Sequence, residues 1–170
     1  FSIFGRMNLR LANTTDLPQI RAIYNEAILN SNAVYDEKPK SEADMQLWFD
    51  TKQQLGMPII VLESELNNEI AGYGSFGQFR PWEGFRFCAE HALYVHTKFR
   101  GQGLGHVLLE ELMRLAKANN FKSMVAGIDS ANGISIQLHK KKGFEEVGTF
   151  KNAGFKKGMW LDLTMLQKQL

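Results

Sequence analysis

The chain has 170 residues, a 44% hydrophobic content and a formal net charge of +2, the profile of a globular domain able to bury a sizeable core. So small a charge gives no reason to expect a nucleic-acid or anionic-membrane partner, and no apolar run approaches the roughly 20 residues of a membrane span. Cys88 is the single cysteine, which excludes an internal disulfide and fits a reducing cytoplasm. Phe1 to Arg6 is too short for a secretory signal, so these six residues are expected to be an expression remnant or a processed segment, with one domain over 7–170.

In chain order, Asn8 to Ala12 reads as a short strand. Thr14, Thr15 and Asp16 then offer caps for a helix carrying Leu17, Ile20, Ile23, Tyr24, Ala27 and Ile28, with Pro18 tolerated in its first turn. Ser41 starts a second helical stretch that closes near Gly56-Met57-Pro58. Ile59 to Glu63 and Ile70 to Phe79 form a hairpin about Asn67-Asn68, followed by a strand from Phe87 to His96. Leu104, Val107, Leu108, Leu112, Met113 and Leu115 recur at helical spacing. After a strand from Lys122 to Ile128, a short helix from Gly133 to Lys142 stops at Gly143, a left-handed cap. Phe144 to Lys151 and Gly158 to Met165 close the chain as strands. The class is α/β, of the α+β type.

Arg100-Gly101-Gln102-Gly103-Leu104-Gly105 lies between a strand and a helix and is the most informative stretch. Its glycines bare the backbone at a helix N-terminus, a natural phosphate site. A Walker loop would need Gly-Lys-Ser/Thr, and here Gly105 is followed by His106. A dinucleotide fingerprint begun at Gly101 would need glycine where His106 stands. What remains, Arg-x-x-Gly-x-Gly opening a helix, resembles the acetyl-coenzyme A loop of the GNAT N-acetyltransferase superfamily. The order β-α-α-β-β-β-α-β-α-β-β is that of the GNAT fold, a mixed, mostly antiparallel sheet flanked by helices. Gly74-Ser75-Phe76, Arg80-Pro81-Trp82, Glu90-His91, Tyr94-Val95-His96, Asp129 to Ser135, Leu138-His139 and Trp160-Leu161-Asp162-Leu163 extend the likeness. They resemble the phosphinothricin and methionine-sulfoximine acetyltransferases, across nearly the whole of 7–170.

The resemblance implies acetyl-CoA as co-substrate and direct transfer to the amino group of a small amino acid or analogue. It also implies a homodimer. Glu90 is the candidate general base, since an ammonium must lose its proton before it attacks. Strand parity puts Glu90, Ala92 and Tyr94 on one face and His91, Leu93 and Val95 on the other, so only one of Glu90 and His91 can face the ligand. His139 stands where many superfamily members carry the tyrosine that protonates the leaving thiolate. Around Tyr94 and Val125 the resemblance implies splayed strands, with backbone groups of Leu93, Tyr94 and Val95 holding the acetyl arm. Asn132 is either the cap of the short helix or a cofactor ligand. Lys140, Lys141 and Lys142 are a solvated helix end or a contact for nucleotide phosphates. Arg80, Trp82, Phe85 and Arg86, with Tyr35 and Phe76, are expected to enclose an anionic amino acid, since guanidinium groups pair carboxylates. The histidines show no metal-ligand spacing, and no metal is expected. Two other readings fit the loop: acetylation of a protein amine, and a non-catalytic acetyl-CoA module.

Overall fold

The computed structural model describes residues 7–170, so the expectation about the first six lies outside the described residues. The elements are β1 (Met7–Leu11), α1 (Leu17–Asn30), α2 (Glu42–Gln54), β2 (Ile59–Ser64), β3 (Ile70–Gln78), β4 (Cys88–Val95), α3 (Leu104–Ala118), β5 (Ser123–Asp129), α4 (Gly133–Lys141), β6 (Glu145–Lys156) and β7 (Met159–Gln169). Their order and types are those read from the sequence. Ser41 caps α2 through a reciprocal box with Asp44. Asp16 does not cap α1 with its side chain; Arg10 takes its carboxylate at 2.8 and 2.9 Å.

The last hairpin differs most. β6 runs on to Lys156, because Asn152 adopts φ 50° within a register shift between Phe150 and Gly154. Asn152, Ala153 and Gly154, past the expected strand end at Lys151, are absorbed as a bulge inside a longer strand. The turn falls at Lys157-Gly158, whose φ values of 50° and 77° suit a two-residue hairpin.

The seven strands form one sheet in the order β1-β2-β3-β4-β5-β7-β6, and only β4 and β5 pair in parallel. Alternation along β2 splits its side chains between two cores. Ile60 and Leu62 join Leu108, Leu109 and Leu112 of α3, while Ile59 and Val61 join Ile20, Ile23 and Phe49 of α1 and α2. α3 sits close to β3 because Gly74 lies beneath it; a Cβ there would come within 2.8 Å of Leu112 Cδ1.

The segment between α1 and α2 is held by one buried amine. Lys156 Nζ donates to the carbonyls of Ile28, Ser31 and Val34 at 2.7, 2.8 and 2.6 Å, and the side chain is fully buried. It satisfies the C-terminal end of α1 and ties it to β6. Lys156→Met keeps the apolar stem and removes the donor to three carbonyls. Chemical denaturation should show a loss on the order of 3 kcal/mol.

Candidate active site

The site begins with a failure of strand pairing. β4 and β5 are in register at Cys88, Ala89 and Glu90, opposite Ser123, Met124 and Val125, and pairing stops there although both strands continue. Backbone polarity alternates along a strand, so the groups left facing the gap can be named. The amide of His96 bonds Ala71 and the carbonyl of Cys88 bonds Phe79, so even-numbered residues of β4 turn their backbone groups to β3. Those of Leu93 and Val95 therefore face the gap. Tyr94, opposite Tyr73, spends its amide on the sheet and corrects the sequence expectation that it lends one to a ligand. By the same alternation on β5, where Ser130 bonds Asp162, the backbone groups of Gly127 face the gap from the other side. A cavity of about 110 Å³ occupies this opening, lined in part by Leu93, Gly127, Asn132 and Ser135.

Glu90 stands at the last paired rung, on the α1/α2 face. Burial pushes its carboxyl above the ordinary range, and Arg80, with Nη1 4.0 Å from Oε2, pulls part of the way back. Farther along the same face, Ala92, Tyr94, Tyr73 and Ser75 line a cavity of about 490 Å³ with Tyr24 of α1 and Trp48 of α2. Tyr94 packs at 5.3 Å against both Tyr24 and Tyr73, and burial raises all three phenols, which stay neutral and serve as hydrogen-bonding walls. Tyr24, Trp48, Tyr73 and Ser75 were not expected as site residues from the sequence. The signal that finds them is pairing: Tyr73 and Ser75 lie directly opposite Tyr94 and Ala92.

His91 points the other way and is buried, so of the two candidates Glu90 is the one on the face of the aromatic cavity. His139 departs from its expected role. Its Nδ1 lies 2.7 Å from the Ser135 carbonyl and its Nε2 3.0 Å from His91 Nε2, so both ring nitrogens are engaged inside the protein. No N–H is left to offer a thiolate in this arrangement. Asn132 does cap α4, accepting from Ser135 N at 3.1 Å with Oδ1, and that leaves its NH₂ for the cavity it lines.

In the glycine-rich loop, Gly101 and Gly103 have φ of 75° and 79° and open space where a Cβ would be. Gly103 precedes the first turn of α3, whose amides at Leu104 and Gly105 have no acceptor within the helix. Gln102 lies in the same turn. Two expectations shift here. Gly105 is buried, and a Cβ on it would come within 2.8 Å of Leu138, so its small size seats α4 on α3. Arg100 donates to Glu26 at 2.9 Å and to the Val95 carbonyl at 3.1 Å, which anchors the loop on α1 and occupies much of the guanidinium. Lys140 and Lys142 pair with Glu146 and Glu110, as a solvated helix end would.

The expected substrate residues divide. Arg80, Trp82, Phe85 and Arg86 lie exposed on the loop after β3, where Phe85 packs near Phe79 and Trp82 at 5.8 and 6.4 Å. Arg86 donates to the Glu83 carbonyl at 3.1 Å and lies over Phe87. Phe76 is a correction: it turns to the α3 face and packs on Phe121 at 5.4 Å in the core. Tyr35 is another. Its hydroxyl bonds Asp129 and the Asp162 carbonyl at 3.2 and 2.9 Å, and its ring covers Gly154, so it ties into β5, β6 and β7. Among the described residues, no group of acidic, histidine or cysteine side chains is arranged to hold a metal ion.

The chain as a whole is matched by known proteins. Residues 9–165 match the acetyltransferase (GNAT) domain, and the chain belongs to that family. It is 46% identical over 163 residues to an L-methionine sulfoximine/L-methionine sulfone acetyltransferase of Pseudomonas aeruginosa, covering 96% of this chain and 94% of that protein. A phosphinothricin acetyltransferase from Sinorhizobium meliloti, solved in complex with acetyl-CoA, superposes with a TM-score of 0.93 at 40% identity, covering 96% of this chain and 88% of that one. A putative acetyltransferase from Salmonella typhimurium, solved with acetyl-CoA, gives 0.93 at 39%, with 97% and 94% covered.

The electrostatics of Glu90 can be checked without substrate. Its carboxyl should titrate above an ordinary glutamate when followed by carbon NMR. In Arg80→Gln the midpoint should move higher still, because the one nearby charge that favours the carboxylate is gone.

Proposed function

We propose that this protein transfers the acetyl group of acetyl-CoA directly to the amino group of a small amino acid or analogue of the methionine sulfoximine, methionine sulfone or phosphinothricin type. The observation that carries this is the pairing break beside Glu90, with an aromatic cavity on the carboxylate's own face and open backbone at the cofactor loop. The names of the relatives support the substrate class.

The residues fit acetyl-CoA. Amides at Leu104 and Gly105, over the open space at Gly101 and Gly103, suit its pyrophosphate. Backbone groups of Leu93, Val95 and Gly127, with the Asn132 amide, suit its pantetheine arm. When bound it supplies the acetyl thioester. Glu90, its proton affinity raised by burial, takes the ammonium proton directly or through water. The Val95 or Leu93 amide, turned to the gap, would be the donor to the thioester carbonyl oxygen as charge develops on it. Tyr24, Tyr73, Tyr94 and Trp48 enclose the acceptor and exclude water. Arg80 and Arg86 offer positive charge to a carboxylate, with Trp82 and Phe85 beside them.

Residues 7–170 act as one domain, and we read the working form as a cytoplasmic homodimer. The hairpin β6–β7 leaves Val147, Phe150, Phe155, Met159 and Trp160 more than half exposed, apolar side chains that a second copy of the chain can cover. Light scattering at micromolar concentration would return the mass of a monomer if that reading is wrong.

Glu90→Gln should lower turnover roughly 10²–10⁴-fold and leave acetyl-CoA affinity intact. Its melting temperature at neutral pH should not fall, because the variant removes a carboxylate that burial disfavours. A near-wild-type rate would remove Glu90 as the base. Gly103→Val forces a branched side chain into φ 79° and fills the loop, so calorimetry should show weaker acetyl-CoA binding. Unchanged affinity would remove the loop assignment.

A further inference from the structure

Two imidazoles meet where α4 lies on β4. His91 and His139 are both buried, with ring centroids 5.0 Å apart and planes within 15° of parallel. Phe144, next to the glycine that ends α4, packs edge-on against both, at 5.9 and 5.2 Å. The Ser135 carbonyl can only accept, so Nδ1 of His139 carries the hydrogen in that 2.7 Å bond. In a neutral pair the single hydrogen on the 3.0 Å axis between the two Nε2 atoms then belongs to His91. His91 Nδ1 remains as a bare acceptor, and it is a buried nitrogen without a partner. A further proton has no good place: on the shared axis it sets N–H against N–H, and on His91 Nδ1 it makes a buried donor facing nothing.

We propose that His91 is a positioning residue whose Nε2–H, donated to His139, latches α4 onto β4, and that protonation of the pair releases the helix that brings Asn132 and Ser135 to the cofactor cleft. Only the cofactor clause rests on the function proposed above.

Among the described residues the surroundings give the pair no counter-ion. From α3 comes His106, whose charge would oppose charging of His139. From β5 comes Asp129, which lines the same cavity but accepts from the Ala131 amide and the Tyr35 hydroxyl. On β4, the neighbouring Glu90 faces the opposite side with Arg80. The residue across from His91 on β3 is Phe76. Beyond the pair on α4, Lys140 is matched by Glu146; Lys142, just past the helix end, is matched by Glu110. Burial, then the neighbouring His139, pushes His91 down to about 3; burial also lowers His139. Both groups thus bind protons more weakly latched than released. Release takes up protons and becomes easier as pH falls below about 6.5, the ordinary histidine value.

Native-state amide exchange in α4, read against α3 and corrected for intrinsic rates, tests this on the free protein. Wild type should open about tenfold more per pH unit below about 6.5 for each imidazole that gains charge. The response should survive His106→Gln. His91→Gln keeps an N–H donor and should hold α4 at neutral pH with a shallower acid response. His91→Leu strands the His139 acceptor; it should lose α4 protection at neutral pH and raise the KM for acetyl-CoA more than it lowers kcat. The paired variant His91→Leu/His139→Met replaces both polar partners, so it should restore protection and abolish the acid response. An α4 that opens equally at pH 7 and pH 5 in wild type would overturn the latch, as would an acid response kept by the paired variant. A fall in kcat at unchanged KM in His91→Leu would return His139 to the chemistry and likewise overturn it. The exchange readout needs no ligand, so failure of acetyl-CoA to bind would sink the proposed function and not this inference.

Discussion

The structure depends on one interrupted hydrogen-bond ladder. β4 and β5 must pair to keep the sheet continuous through the core, and they must part to admit a ligand between backbones. Both demands are met because each strand is secured on its other edge. β4 stays paired with β3 from Ala89 to Val95, and β5 stays paired with β7 from Ser123 to Asp129. The gap therefore leaves inward-facing backbone groups without a strand partner, among them those of Leu93 and Gly127 and the amide of Val95, whose carbonyl is taken by Arg100. Unpaired backbone groups inside a protein are costly. Here they are gathered where polar atoms of a ligand can take them.

From that break the two sides of the site separate. Strand alternation sends Glu90, Ala92 and Tyr94 to the α1/α2 face and His91, Leu93 and Val95 to the α3/α4 face. The carboxylate and the aromatic cavity share the first face, while the glycine-opened helix and the capped α4 flank the second. The gap lies between them. On the proposed function, the acetyl group passes there from the ligand on one face to the ligand on the other, which is what gives the last paired residue of β4 its weight.

Much of this was legible in the sequence. Element types and order follow from period and punctuation, and the parity of Glu90 against His91 needs only a count along one strand. The boundary that moved most, the end of β6, is set by tertiary pairing: β7 holds β6 in register on either side of the bulge at Asn152. The site residues that failed share a cause. Phe76, Tyr35, Arg100 and His139 were assigned by motif position and resemblance, and neither reveals whether a side chain's bonding capacity is already used. Phe76 is spent on Phe121, Tyr35 on Asp129 and Asp162, Arg100 on Glu26 and Val95, and His139 on Ser135 and His91. Those partners are distant in sequence, except for Ser135 one helical turn back and Val95 one short turn back.

The same distinction separates scaffold from chemistry across the molecule. Lys156, Arg10 and Asp16 are charged groups in poor solvent, and each is saturated: Lys156 by three carbonyls, Arg10 by two carboxylates, Asp16 by Arg10 and the Asn13 amide. Burial pushes the Asp16 carboxyl up, but the Arg10 and Asn13 hydrogen bonds outweigh it, and the net displacement is downward. Glu90 has only Arg80 at the edge of contact, and its displacement is upward. A carboxylate held down by its partners is a poor base and a good strut. One that burial has raised, beside a break in strand pairing, favours taking a proton, and the stability it forgoes at neutral pH is what its proposed role as base would draw on.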